Sequence, residues 1–257
     1  MKKHIPNIIT LLNLISGACA CILAIWGQYY PALLFILASA CFDFLDGFSA
    51  RLLHAYSDIG KELDSLADDI SFGLAPSLLF FNWYYQCNHS CSALAYVPLL
   101  MAALSAYRLA KFNLDSRQAT DFIGLPTPAN AMIVGGFAGY GHICRLHGID
   151  TLTLRLLDSG WFIPVVSVIL ALLLISEIPM FSIKKKKISF KEHPTETVFF
   201  FTVLVIMAIM LAFKPERLGF FTGVMPVTLA LSFVAYILIN IVSFPATKRI
   251  EENPQQK

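Results

Sequence analysis

Seven of the 17 acidic residues in this 257-residue chain fall between positions 43 and 69: Asp43, Asp46, Asp58, Glu62, Asp64, Asp68 and Asp69. Their spacing carries more information than their number. Asp43, Asp46, Gly47 and Ala50 stand at i, i+3, i+4 and i+7, so a helix places all four on one face. Gly60, Asp64 and Asp68 stand at i, i+4 and i+8, again one face. A turn around 52–59 folds the second helix back on the first and sets two pairs of carboxylates opposite each other. Anions gathered this closely repel one another unless cations compensate them. Oxygen-only ligands select hard ions such as Mg²⁺, Mn²⁺ or Ca²⁺, and four carboxylates suit two divalent ions.

The small residues share the acidic faces. Gly47, Ala50 and Gly60 leave room for a large group to approach the helix backbone; the other use of such residues is close helix packing, common in membrane bundles. The remaining acids point elsewhere. Asp69 lies roughly 100° around the helix from Asp68, and Glu62 nearly opposite Asp64. With Asp58 they are expected in solvent or paired with Arg51, Lys61 or His54.

The elements that must hold these residues are read from composition and hydropathy. Hydrophobic residues make up 57% of the chain and charged residues 14%, against about a quarter charged in soluble domains. Mean hydropathy is +0.67. This excludes a water-soluble domain, a disordered chain, a collagen and a disulfide-built scaffold, the six cysteines being ordinary usage. The net charge of +2 gives no reason to expect a nucleic-acid partner. Apolar runs of about 20 residues suit bilayer-spanning helices. Eight are read, at about 8–26, 31–50, 66–84, 93–110, 126–143, 161–181, 197–213 and 219–243. The expected fold is all-α, a polytopic transmembrane helical bundle forming one integral membrane domain over 1–257. In that setting an acid in or beside a span is costly, and marks function by default.

The cations set the orientation. With eight spans and an inside N terminus, only Arg145, Arg155, Lys214 and Arg217 face outside, leaving 15 of the 19 Lys and Arg inside. The positive-inside rule then places both termini, and the acidic cluster, on the cytoplasmic side. Lys2 and Lys3 before an apolar run resemble a signal peptide, but Pro6, Asn7, Thr10 and Asn13 interrupt it and more spans follow, so a retained helix is expected. The lysine run 184–187 reads as an anchor beside anionic headgroups. Cys87 and Cys91 flank a short outside loop, as a small disulfide or two thiols. With His89 their spacing matches no standard zinc site. Arg108, Lys111 and Arg117 follow the fourth span inside, either as ordinary anchors or as binders of a carboxylate or phosphate. Arg108 and Lys111, three apart, form the preferred pair.

Written out, the acidic segment is Asp43-Phe-Leu-Asp46-Gly47-Phe-Ser-Ala50-Arg51, then Gly60-Lys-Glu-Leu-Asp64-Ser-Leu-Ala-Asp68. It resembles the D-x-x-D-G-x-x-A-R-x8-G-x3-D-x3-D signature of the CDP-alcohol phosphatidyltransferases, with every fixed position present. Pro6-Asn7-Ile-Ile-Thr10-Leu-Leu-Asn13, the run from Leu63 through Asp68 into Ser71-Phe-Gly-Leu-Ala-Pro76, Arg108-Leu-Ala-Lys111-Phe-Asn113 and Gly124-Leu-Pro-Thr-Pro128 resemble the phosphatidylserine synthase members. The likeness covers about 5–190 as a catalytic core; 191–257 adds two C-terminal spans without a motif.

The resemblance implies transfer of a phosphatidyl group from CDP-diacylglycerol to L-serine, releasing CMP. By it, Asp43, Asp46, Asp64 and Asp68 hold two divalent ions, Mg²⁺ or Mn²⁺, on the diphosphate, with Ca²⁺ admitted as a bound ion. Asp68 is also the general base on the serine hydroxyl. Gly47, Ala50 and Gly60 make room for the nucleotide, with Asn7 and Thr10 nearby and Arg51 close to the phosphates. Ser71, Arg108, Lys111 and Asn113 are candidates for serine or phosphate. A homodimer among membrane lipids, in a bacterial-type plasma membrane with its site facing the cytoplasm, completes the expectation. The acidic motif alone equally fits glycerol 3-phosphate or an inositol phosphate as acceptor. A reading of another class, a divalent-cation transporter, requires polar residues continuing along several spans, whereas here the acids stop at one end.

Overall fold

The computed structural model describes residues 4–88, 93–114, 122–180, 194–213 and 218–252. Almost all of them are helical. α1 (His4–Ile25) and α2 (Tyr29–Leu52) form an antiparallel pair closed by a tight turn, in which Gly27 takes a positive φ of 73°. α3 (Asp58–Asp68) runs through a π-helical segment, Asp69–Leu74, into α4 (Ala75–Asn88). The third expected span, 66–84, therefore lies within one longer helical run that begins at Asp58 and ends at Asn88. α5 (Leu99–Leu114), α6 (Thr127–Leu146), a short α7 (Leu152–Asp158), α8 (Phe162–Ile175), α9 (Pro194–Ala212) and α10 (Met225–Glu252) follow.

Four described helical stretches are long and apolar enough to cross a membrane: His4–Ile25, Tyr29–Leu52, Ala93–Leu114 and Phe220–Ser243. A fifth is added if α7 and α8, bent by 89°, count as one broken span. Thr197–Ala212 is apolar but shorter. α6 falls below the measure for a physical reason. It is buried along nearly its whole length by α2, α4 and α10, so its surroundings are protein rather than lipid. Its Gly135, Gly136, Gly139 and Gly141 admit those neighbours closely; a Cβ at Gly136 would lie 2.5 Å from the Pro226 carbonyl oxygen. Between helices in lipid, such contact and interhelical hydrogen bonds replace the hydrophobic effect as the source of association.

One element departs from an all-helical reading. β1 (Phe122–Ile123) and β2 (Pro179–Met180) pair antiparallel, tying the start of α6 to the end of α8. Gly124 follows with a φ of 78°, and a Cβ there would meet the Leu174 and Ser176 carbonyl oxygens at 2.6 and 2.8 Å. Its N–H donates to Ile178 O at 2.9 Å, and that of Leu125 to Leu173 O at 2.9 Å. The Gly124–Pro128 motif thus caps the carbonyl end of α8 and launches α6, a service only glycine fits at its first position.

At the opposite end of the fold from this ladder, Trp83 Nε1 donates to Asp158 at 3.0 Å and Arg145 lies 4.4 Å above the Trp83 ring. Arg145 also pairs with Asp158, and Cys87 sits beside both. Cys91, His89, Arg117 and the lysine run 184–187 lie outside the described residues.

Candidate active site

The acidic hairpin forms because α2 stops abruptly. The Leu53 N–H closes the last turn onto Ser49 O, Ala55 N–H returns to Ala50 O at 2.9 Å, and His54 adopts a positive φ of 49°. Ser57 then starts α3, its hydroxyl accepting from Gly60 N–H at 3.1 Å. A serine N-cap with Asp58 in the first turn satisfies the free amides and complements the helix dipole. Only Leu53–Ser57 separate the two helices, so α3 must fold back beside α2.

That return brings Asp43, Asp64 and Asp68 together, with one carboxylate oxygen from each within 4.8 Å of the others. All three are half-buried. Asp46 stands one turn along α2, more deeply buried at 6% exposure, and its Oδ2 has no hydrogen-bond partner among the described residues. Its charge acts on Asp68, as do those of Asp43 and Asp64. The donor set is oxygen-only and converging. A hard divalent cation fits it.

Asp68 is held from behind. Asn13, fully buried on α1, donates from Nδ2 to Asp68 Oδ1 at 3.1 Å. Its Oδ1 accepts from the Ser71 hydroxyl at 2.8 Å, and the ionised carboxylate, an acceptor only, turns the amide's NH2 toward itself. The Asn13 carbonyl accepts from Ser39 at 3.2 Å, binding α2 to the same point. Gly17, one turn further, makes the approach feasible, because a Cβ there would overlap Ser71 Oγ and lie 2.8 Å from its Cα. Neither Asn13 nor Gly17 is among the residues singled out from sequence for the site. A signal existed for Asn13, a polar residue in an apolar span in phase with Asn7 and Thr10; Gly17 offered none.

The other candidates divide by location. Thr10 is buried beside Asp46 and donates to Pro6 O at 3.1 Å. Gly47 is exposed, and a Cβ there would have nothing within 4 Å. Gly60 is close to protein instead: a Cβ would lie 2.9 Å from Ser57 Oγ and 3.0 Å from Asn7 Oδ1. Ala50 is half-buried, and Arg51 is exposed in the last turn of α2. Ser71, fully buried, stands behind Asp68 as part of the Asn13 network.

On α5, Arg108 is buried at 7% exposure; its Nε has no hydrogen-bond partner among the described residues, and Asp68 acts on its charge. Lys111 lies 3.7 Å from Glu177. Asn113 joins α5 to α3, donating to Ser65 Oγ at 2.9 Å and accepting from Lys61 Nζ at 2.9 Å. Asp58 and Glu62 are exposed, as their helix phase requires. Asp69 differs from expectation: it turns into the interior beside Ser105 of α5, because that helix covers this side of the third span.

The site can therefore bind a divalent cation beside a buried arginine, at one end of a helical bundle. Comparison with known proteins agrees. The family profile described as CDP-alcohol phosphatidyltransferase matches residues 3–173. The chain is 37% identical over 134 residues to the CDP-diacylglycerol–serine O-phosphatidyltransferase of Bacillus subtilis (strain 168), covering 51% of this chain and 72% of that one. It is 31% identical over 174 residues to the protein of that name from Methanocaldococcus jannaschii, covering 68% and 72%. With the Helicobacter pylori (strain 26695) protein of that name, identity is 33% over 225 residues, 85% and 86% of the two chains. A profile matched over two-thirds of the sequence, on the very helices that assemble the aspartates, makes this chain a member of the CDP-alcohol phosphatidyltransferase family.

Proposed function

We propose that this protein is a CDP-diacylglycerol–serine O-phosphatidyltransferase: it transfers the phosphatidyl group of CDP-diacylglycerol to L-serine, giving phosphatidylserine and CMP. The observation that carries the reading is the convergence of Asp43, Asp64 and Asp68 within a family-matched segment whose relatives bear that name. The acidic cluster is indifferent to the acceptor; the relatives favour serine over glycerol 3-phosphate or an inositol phosphate.

Asp43, Asp46, Asp64 and Asp68 would hold two divalent cations, Mg²⁺ or Mn²⁺, whose charge neutralises the diphosphate and the departing CMP. Asp68 takes the proton of the serine hydroxyl as its oxygen attacks the phosphatidyl phosphorus and the bond to CMP breaks. A positioned base of this kind contributes about 10²–10⁴-fold. Asn13, donating to Oδ1, holds the carboxylate for this task. Gly47, with open space at its Cβ position, gives the nucleotide access to α2, with Ala50 beside it; Asn7, Thr10 and Gly60 shape the adjoining α1 side, and Arg51 lies near the phosphates. Arg108, a buried guanidinium in need of an anion, takes the serine carboxylate, with Lys111 one turn further along α5. Asn113 and Ser71 act by fixing α5 and Asp68.

A lipid and a water-soluble amino acid meet only at a membrane surface. The eight-span reading, with both termini and the acidic end cytoplasmic, follows from the cation distribution and fits a bacterial-type plasma membrane. Residues 5–190 then form the catalytic core, 191–257 add two spans, and two copies associate. CMP release by detergent-purified protein, given CDP-diacylglycerol, Mn²⁺ or Mg²⁺ and single alcohols, tests the reaction. Serine-dependent release with phosphatidylserine formed is expected; release with another alcohol alone refutes the acceptor.

A further inference from the structure

We infer that Glu177, in the link between α8 and β2, is a specificity-determining residue: it takes the ammonium group of the acceptor and turns away alcohols that carry a phosphate. The inference deepens the proposed transfer to serine and rests on it, and on the assignment of Arg108 to the serine carboxylate.

Arg108 and Lys111 of α5 line one narrow crevice with Tyr107, Ile123, Leu174 and Ser176, where β1 meets the end of α8. Tyr107 and Lys111 also line a wider cleft of about 460 Å³, which gives a small amino acid room beside the crevice. Lys111 Nζ lies 3.7 Å from Glu177 Oε1, so the residue after Ser176 completes a row of three charges. Exposure grades along the row. Arg108 is buried, and its Nε has no hydrogen-bond partner among the described residues; Lys111 is half-buried and Glu177 exposed. At 3.7 Å the Lys111–Glu177 pair is an ion contact rather than a hydrogen bond, which leaves the carboxylate able to accept from a second cation. α8 ends at Ile175, and its negative dipole end adds to the pull on a cation there. The row is held beside the acidic hairpin, because Asn113 donates to Ser65 Oγ at 2.9 Å and fixes this end of α5 against α3.

The sum of these charges decides which alcohol fits. Arg108 and Lys111 alone present two positive charges, the complement of a phosphate. Glu177 offsets one of them. What remains is a cation for a carboxylate and a carboxylate for an ammonium, the charge pattern of an amino acid. Glycerol 3-phosphate or an inositol phosphate brings no ammonium and more negative charge, which meets Glu177 as a like charge. Repulsion of the wrong partner sets specificity alongside attraction of the right one. The aspartate cluster serves both kinds of acceptor and cannot make this distinction.

The test is Glu177→Gln in the full-length protein, which keeps the size and removes the charge. KM for serine should rise about three- to fivefold, the scale of a solvent-screened charge contact. Glycerol 3-phosphate should compete with serine more strongly by a similar factor. Competition by 3-hydroxypropanoate, which is serine without its ammonium, should not weaken. KM for CDP-diacylglycerol and the melting temperature stay near wild type, since an exposed ion pair adds little stability. An unchanged serine KM in an active variant overturns this inference alone. So does unaltered competition by glycerol 3-phosphate, and so does a parallel weakening of serine and 3-hydroxypropanoate, which would show a general disturbance of the crevice. Absence of serine-dependent CMP release from the wild type overturns the assigned reaction, and this inference with it.

Discussion

Asn13 and Asp68 are 55 residues apart in sequence, and a single hydrogen bond of 3.1 Å joins them across α1 and α3. The amide meets the carboxylate through its NH2, because an ionised carboxylate only accepts, and its other end accepts from Ser71. One oxygen of Asp68 is thereby pinned and the carboxylate cannot rotate freely. Partners of this kind typically cost 10–100-fold in metal affinity or activity when removed. Asn13→Ala is expected to lower kcat by about that factor and to raise the Mn²⁺ concentration for half-maximal activity. A steady-state titration with Mn²⁺ checks it; wild-type values for both would show that the bond does not govern Asp68.

Asp68 itself gives a sharper expectation. Asp68→Asn keeps the size and can still accept from Asn13, but no longer takes a proton. Turnover should fall at least as far as loss of a general base implies, about 10²–10⁴-fold. Binding of CDP-diacylglycerol, followed by protection of the purified protein against thermal unfolding, should persist. Retained turnover would remove Asp68 from the role of base.

Two glycines provide an internal control on space. A side chain at Gly47 meets nothing within 4 Å, whereas one at Gly17 runs into Ser71. Gly47→Leu should leave the melting temperature unchanged and raise KM for CDP-diacylglycerol. Gly17→Ala should destabilise by about 1–3 kcal/mol, as overpacking does, and lower activity through the displaced Ser71 and Asn13. If Gly47→Leu binds the lipid nucleotide normally, α2 is not where the nucleotide approaches.

The acidic hairpin was legible because carboxylates are rare in apolar sequence and the 3.6-residue period assigns them to faces without any structure. Asp43, Asp64 and Asp68 meet as that period requires, and Glu62 points away. Positions that depend on the partner helix were not legible. Gly17 looks like any small residue until Ser71 is seen against it. Asp69 was expected in solvent or paired with Arg51, Lys61 or His54, but the sequence does not reveal that α5 covers that side. The π-helical segment 69–74 adds a residue to one turn, a change that no regular periodicity anticipates. Gly124 was recognisable as part of a motif, yet its reason, the carbonyl end of α8, lies some 50 residues on in the chain.

Metal removal gives the last expectation, and its sign follows from charge alone. With Asp43, Asp64 and Asp68 within 4.8 Å, the metal-free fold carries mutual repulsion that a bound cation relieves. Chelator-stripped protein should therefore melt at a lower temperature than protein in Mn²⁺; a ligand at 100 times its Kd contributes about 2.7 kcal/mol. Asp43→Asn should act in opposite directions in the two states. It removes one repelling charge, so the stripped variant should melt at or above the stripped wild type. It also removes a ligand, so the rise with Mn²⁺ should shrink and CMP release should fall. Glu62→Gln, on the exposed face of the same hairpin, should leave the Mn²⁺-dependent rise and the activity intact. A Glu62→Gln variant that loses the Mn²⁺ effect, or an Asp43→Asn variant that keeps it in full, would place the cation somewhere other than between α2 and α3.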